Sequence, residues 1–257
     1  MRHDDGSAGD ADYGRIGTGY SAYRQPDPRI GARILAALGE ARTVLNVGAG
    51  AGSYEPESRI VTAVEPSASM RAQRPTHRPP AIDATAEQLP FEDGQFDAAM
   101  ATFTIHQWAD LRAGLAELRR VTRGPIAILT CDPQRVREFW LDEYAPDVLA
   151  AEARRYPAIA AVEDGLGCEV ERIRVPIPLD CIDGFNEAYY GRPEGLLDER
   201  ARLACSAWSF VAAPVAQASV QRLGDDLRAG SWDARWGALR STPSYLGSLE
   251  LLVAPAL

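Results

Sequence analysis

Lysine is missing from this sequence: all 27 basic side chains are arginine. That absence removes a Walker-type phosphate lysine, a Schiff-base lysine and a lysine general base, so ATP hydrolysis and pyridoxal chemistry are not expected. Histidine is scarce as well, at three residues. The four cysteines (131, 168, 181 and 205) form no CxxC and lack histidines at zinc spacing. They read as reduced thiols of a cytoplasmic protein that uses no metal. Apolar runs end after about ten residues, too few to span a bilayer. Residues 1–12, MRHDDGSAGDAD, have no apolar core of a secretion signal and read as a disordered acidic tail. A net charge of −9 supplies no basic face for phosphates. Neither nucleic acid nor a membrane is expected as partner; a small molecule is.

The chain has 257 residues, long for one domain and short for two, so one domain over 13–257 carrying insertions is expected. Asp27 and Pro28 open a helix in which Ile30, Ile34, Leu35 and Leu38 recur at helical spacing, and Gly39 stops it. Strands are predicted near 43–47, 60–64, 81–83, 96–103 and 125–130. A short helix near 67–73 and an amphipathic one at 110–121 lie among them. Strands alternating with helices imply a parallel sheet with both faces covered. After Asp132 the rhythm breaks into helical pieces rich in aromatics, with strand-like runs only at 168–178 and 248–254.

The stretch VLNVGAGAGSYEPESRIVTAVEP, residues 44–66, carries the first functional signal. In an open parallel sheet, ligands sit beyond the carboxyl ends of the strands, where strand order reverses. Glycine is needed where backbone approaches a ligand or takes positive φ. An acid ending the second strand suits two ribose hydroxyls. Gly48, Gly50, Gly52 and Glu65 therefore imply an adenosine ligand with free hydroxyls. The spacing is GxGxG, not GxGxxG, and Pro56 follows four residues after the last glycine. Room remains for only one or two turns of helix at ~1.5 Å rise per residue. Glu55 and Glu57 add negative charge where a pyrophosphate would need the opposite, so a ligand without phosphate is expected. A tight strand-to-helix turn with no ligand is the structural alternative.

The order VLNVGAGAGSYEP, VTAVEPSASM, ATAEQLPFEDGQFDAAMATFTIHQW, then an amphipathic helix and a strand, resembles the class I S-adenosylmethionine-dependent methyltransferases. The likeness covers about residues 28–132 and is nearest the ubiquinone and menaquinone biosynthesis subgroup (methyltransferase type 11). It implies an α/β, Rossmann-like, seven-stranded mostly parallel sheet, with the last strand antiparallel and helical cap insertions at 133–167 and 179–245. It implies S-adenosylmethionine as cofactor. Gly48, Ala49, Gly50 and Gly52 would wrap its methionine part and Glu65 its ribose. Pro66, Ser67 and Met70 would line the adenine, with Ala86 contributing backbone and Phe103 joining the set. Thr85 stands where the family has an aspartate, with Asp83 two residues earlier, so either could meet the adenine. Asn46 stands where an acid usually ends the first strand.

The resemblance also implies that YGRIGTGYSAYRQPDP (13–28), with Tyr13, Tyr20, Tyr23 and Arg24, closes over the cofactor; packing on the sheet edge is the alternative. His106, in the loop after the fourth strand, is the candidate catalytic base, because its ordinary pKa of about 6.5 suits neutral pH. It could equally contact substrate or order its turn. Asp132, Asp180 and Asp183 at strand ends read chiefly as turn residues. Phe139, Trp140, Tyr144, Tyr189, Tyr190, Trp208 and Phe210 read as an aromatic cover. Tyr20, Tyr23, Trp140, Tyr144 and Tyr189 are the expected substrate contacts, suited to a flat or apolar molecule methylated at oxygen or carbon. A protein that binds the cofactor without methylating, or a nicotinamide oxidoreductase, are the rival readings.

Overall fold

A computed structural model describes residues 20–256, with the side chains of Tyr20 and Ser21 left out. The acidic tail, Tyr13 and the Tyr20 ring expected to meet substrate thus lie outside the described residues.

After the turn α1 (Tyr20–Tyr23), α2 (Pro28–Ala37) begins as its sequence requires. Asp27 accepts the Arg29 N–H at 3.0 Å and proline takes the first turn. Then come β1 (Thr43–Val47), β2 (Ile60–Val64), α3 (Ala68–Arg71), β3 (Ala98–Thr102), α4 (Leu111–Arg120) and β4 (Ile126–Cys131). Helices α5 (Pro146–Arg155) and α6 (Ile159–Leu166) precede β5 (Glu171–Arg174) and β6 (Ile177–Pro178). Helices α7 (Glu199–Leu203), α8 (Ala213–Ala229) and α9 (Ser231–Trp236) lead to β7 (Ser244–Tyr245) and β8 (Leu249–Ala254).

The main sheet has the order β2-β1-β3-β4-β8-β5, and β6 pairs with β7 apart from it. Strands β1 to β4 are mutually parallel, and β8 is antiparallel to both β4 and β5. Side chains alternate across the pleat, so each strand feeds two cores. Val44, Met100 and Leu129 join Ile30 and Ile34 of α2 on one face. Leu45, Ala99 and Ile128 join Leu115 of α4 and Val162 of α6 on the other.

Two expectations need correction. The main sheet has six strands where seven were expected, because the third expected strand is reduced to a single bridge, Val64 with Ile82. Ile82 makes both of its ladder bonds, but Pro80, two residues before it, has no N–H with which to continue. The link between β1 and β2 holds turns and no helix, where one or two helical turns were expected. Gly48 and Gly50 take positive φ, Tyr54 does so as well (62°), and Pro56 follows, so no helical run can start.

Between β4 and β8, the aromatic residues gather into one cluster. Trp140 packs edge-on against Trp232 at 5.4 Å and Tyr144 at 6.0 Å. Its indole N–H donates to the Tyr190 carbonyl at 2.9 Å. Among the described residues no helix is long and apolar enough to cross a membrane.

Candidate functional site

Strand order reverses between β1 and β3, because β2 lies to one side of β1 and β3 to the other. A cleft opens beyond their carboxyl ends, about 860 Å³ with its open solvent mouth included. Gly48, Ala49, Gly50, Glu65, Pro66, Met70, Thr85, Ala86 and Phe103, each expected to bind cofactor, all line it. Gly48 is needed there on two counts: its φ is +69°, and a Cβ would collide with the Thr104 side chain across the cleft floor.

Glu65 is buried at 7% exposure, and both of its oxygens already accept backbone N–H groups, from Gly50 and from Ser67, each at 2.8 Å. A carboxylate has about four lone-pair sites, so capacity remains for two hydroxyls. The latch also holds the glycine loop against the end of β2.

Asn46, Gly52 and Ser67 stand behind this surface and do not line the cleft. Asn46 donates to Glu55 at 3.0 Å, beneath the loop. Glu55 in turn binds Arg74 in a two-pronged pair, at 2.8 and 3.0 Å, and Arg78 at 3.1 Å. This buried triad does the work of the missing helix, since a chain without helical hydrogen bonds needs other partners for its loop. A Cβ on Gly52 would press on Arg74 and Glu55, which explains that glycine without a ligand. Ser67 caps α3 by accepting the Met70 N–H. Thr85 faces the cleft, whereas Asp83 pairs with Arg71 outside it.

The far wall combines residues distant in sequence. Arg24 pairs with Asp183, which also accepts the Tyr54 hydroxyl at 2.7 Å. All three line the cleft, and Arg24 lies over the Phe103 ring at 5.0 Å. Phe103 itself has φ +52°, a left-handed conformation that costs of order 1–3 kcal/mol and is characteristic of functional sites.

Behind Arg24 and Phe103 lies a second chamber of about 390 Å³, again counted to its mouth, and these two residues belong to both walls. His106 faces this chamber, not the cleft, while Gln107 and Trp108 face the cleft. Residues 105–107 form one turn of 3₁₀ helix, in which neighbours point about 120° apart, so adjacent residues serve different cavities. Glu152, Tyr156, Phe185, Asn186 and Ser206 complete most of the chamber. Burial, reinforced by Arg155 and Arg24, pushes the His106 pKa well below its ordinary value, so its imidazole is neutral at pH 7. Burial raises the pKa of Glu152.

Four expected substrate contacts stand elsewhere. Trp140 and Tyr144 line neither cavity and belong to the aromatic cluster, where burying several rings together outweighs presenting them to solvent. Tyr23 donates to Asp198 at 2.7 Å, and Tyr189 packs on Gly184 and Gly195; neither lines the cleft or the second chamber. Tyr54, Trp108 and Glu152 were not anticipated. Trp108 follows His106 in the quoted motif, but nothing local in the sequence marks Glu152.

An acid at the end of β2, a glycine-rich loop after β1 and a flat apolar rim of Pro66, Met70, Ala86 and Trp108 together fit an adenosyl group without phosphates. Comparison with known proteins agrees. Residues 45–125 match the methyltransferase domain family. A demethylmenaquinone methyltransferase from Mycolicibacterium gilvum is 37% identical over 70 residues, 27% of this chain and 31% of the relative. A malonyl-[acyl-carrier protein] O-methyltransferase from Pseudescherichia vulneris is 32% identical over 130 residues, 47% of this chain and 52% of the relative. These matches thus span from about a third to about half of the curated relatives' length. A crystal structure from Anabaena variabilis, described as a candidate methyltransferase of an antibiotic biosynthesis pathway, superposes with a TM-score of 0.84. It is 27% identical, with 92% of this chain and 100% of that one covered. Over residues 45–125 the chain is thus similar to the methyltransferase domain family, and S-adenosylmethionine is the cofactor that this likeness implies.

Proposed function

We propose that the protein transfers a methyl group from S-adenosylmethionine to an oxygen or carbon of a small aromatic or apolar metabolite. The observation that carries this reading is the shared lining: Arg24 and Phe103 border both a cleft suited to the cofactor and an adjoining chamber suited to an acceptor. When bound, the cofactor supplies a methyl group already activated on a positively charged sulfur.

In this reading Glu65 holds the ribose hydroxyls, and Pro66, Met70 and Ala86 flank the adenine with Thr85 at its edge. Backbone of Gly48, Ala49 and Gly50 runs along the amino-acid end, where Arg24 adds a positive charge beside Asp183. Asn46, Gly52 and Ser67 act from behind by fixing the loop and Glu65. The chain's main contribution to rate is alignment in a dry site, which can supply roughly 7–11 kcal/mol of a barrier. His106 offers a neutral imidazole to the acceptor. The segments 133–167 and 179–245 serve as the cover of the acceptor side within one domain spanning 13–257. The relative named as an O-methyltransferase favours oxygen among the two atoms.

Calorimetry with S-adenosylmethionine, S-adenosylhomocysteine and NAD tests the cofactor, with binding expected for the first two alone. Release of S-adenosylhomocysteine in the presence of candidate acceptors tests the transfer. Binding with no release across aromatic and aliphatic hydroxyl, amine and carbon acceptors would overturn the transfer and leave a binding protein.

A further inference from the structure

The second chamber has a polarity of its own. Phe103 and Phe185 meet at 5.3 Å on one side, and the His106 and Tyr156 rings at 4.7 Å on another. Into this aromatic box projects one carboxylate, Glu152 from α5. It is positioned by a relay. The Trp208 indole N–H donates to Asn186 Oδ1 at 3.0 Å, and Asn186 Nδ2 donates to Glu152 Oε2 at 2.7 Å. The first bond settles which way the Asn186 amide faces, and the second orients the carboxylate. Arg155, a nearby cation, is engaged by Ser206 at 2.9 Å. A carboxylate held this firmly beside aromatic faces matches a ligand that brings an aromatic ring and a hydrogen-bond donor together.

We propose that this chamber binds a hydroxylated aromatic ring, a phenol, whose hydroxyl donates to Glu152, and that Glu152 receives the hydroxyl proton during transfer. This rests on the methyltransferase reading. The phenolic O–H bond breaks and its proton passes to a Glu152 oxygen. An oxygen lone pair forms the new C–O bond to the methyl carbon while the C–S bond breaks, its electron pair staying on sulfur. A cation and a carboxylate give a neutral thioether, a neutral ether and a carboxylic acid, so atoms and charge balance. The raised proton affinity that burial gives Glu152 brings the base nearer to a phenol, the condition under which general-base catalysis is effective. Glu152 is thereby a catalytic residue and Asn186 a positioning one.

Phenol and toluene, nearly equal in shape and differing by one hydroxyl, are the probes. Each is titrated into the full chain with and without saturating S-adenosylhomocysteine, and binding is followed by ligand-observed NMR. Phenol is expected to bind at least tenfold tighter than toluene to the wild type. In Glu152→Gln and Glu152→Ala that preference is expected to fall below threefold. Equal affinities in the wild type, or a preference that survives both substitutions, would overturn the proposal. Circular dichroism and Tm check folding; should neither variant fold, the wild-type ratio alone decides. Calorimetry with S-adenosylhomocysteine is read separately: its failure would remove the cofactor reading and leave the phenol preference intact as a measurement of the chamber.

Discussion

The backbone N–H of Gly50 donates to Glu65 Oε2 at 2.8 Å, joining the loop after β1 to the acid that ends β2. One carboxylate thus shapes the loop and faces the cleft. Glu65→Ala removes both functions. Hydrogen bonds to a charged group are worth about 1.5–3 kcal/mol, so S-adenosylhomocysteine should bind roughly 10–100-fold more weakly by calorimetry. Unchanged affinity would place the ribose elsewhere.

Gly48→Ala puts a side chain on a residue at φ +69° and into Thr104. A left-handed alanine alone costs about 1–2 kcal/mol. Denaturant unfolding should show at least that loss, with cofactor affinity falling too because the cleft floor must move.

Glu55 is the hinge of the buried triad, with its side chain and that of Arg74 almost fully enclosed. Removing one partner of such a pair costs about 3–5 kcal/mol, since a buried charge is left alone. Glu55→Ala should lower Tm sharply; a variant as stable as the wild type would mean that the loop has other support.

His106→Ala should lower turnover more than cofactor affinity, because His106 lines the second chamber and not the cleft. A loss of up to about 10²-fold in kcat is expected from misplacing the acceptor. Equal turnover would reduce it to a structural residue. Its pKa lies well below 6.5, so the imidazole stays neutral through pH 7–8 and activity should show no His106 step in that range.

Glu187 is buried and accepts the Ser248 N–H and hydroxyl, and burial raises its pKa to about 7 against an ordinary 4.5. The folded state therefore holds this proton to higher pH than the unfolded chain. Its stabilising effect is complete below about pH 4.5 and is lost as pH rises through about 7. Relative to the wild type, Glu187→Gln should gain stability progressively between those values, read as a Tm difference that grows with pH. A difference that stays flat would contradict the shift.

The sheet was legible in local pattern. PIAILT and FDAAMATF are apolar on both faces, which in a parallel sheet means burial on both faces, and β3 and β4 obey. Asp27 marked a helix start because capping is a local matter. The count of strands was less legible: 81–83 looked like a strand, and only Pro80 warned that its ladder would stop.

At the site, the glycines and Glu65 were readable because a strand end and a turn place them within a few residues of fixed backbone. Which cavity His106 enters was not, because that depends on a 3₁₀ turn whose three residues face three ways. Trp140 and Tyr144 misled in the same manner: aromatic residues have no label distinguishing a core from a pocket. Asn46 stands where an acid usually ends the first strand, and what it meets is Glu55, nine residues away across a loop.

By itself, then, the sequence determined the alternation of strands and helices, the absence of lysine chemistry and the cleft-lining core of Gly48, Gly50 and Glu65. All of these depend on periodicity, composition or spacing along the chain. Only the tertiary structure decided that Arg24 and Phe103 border two cavities and that Glu152, Asn186 and Trp208 form a relay in the second. Those contacts join residues tens of positions apart, and their energy comes from burial that exists only once the sheet has brought the late helices onto its end.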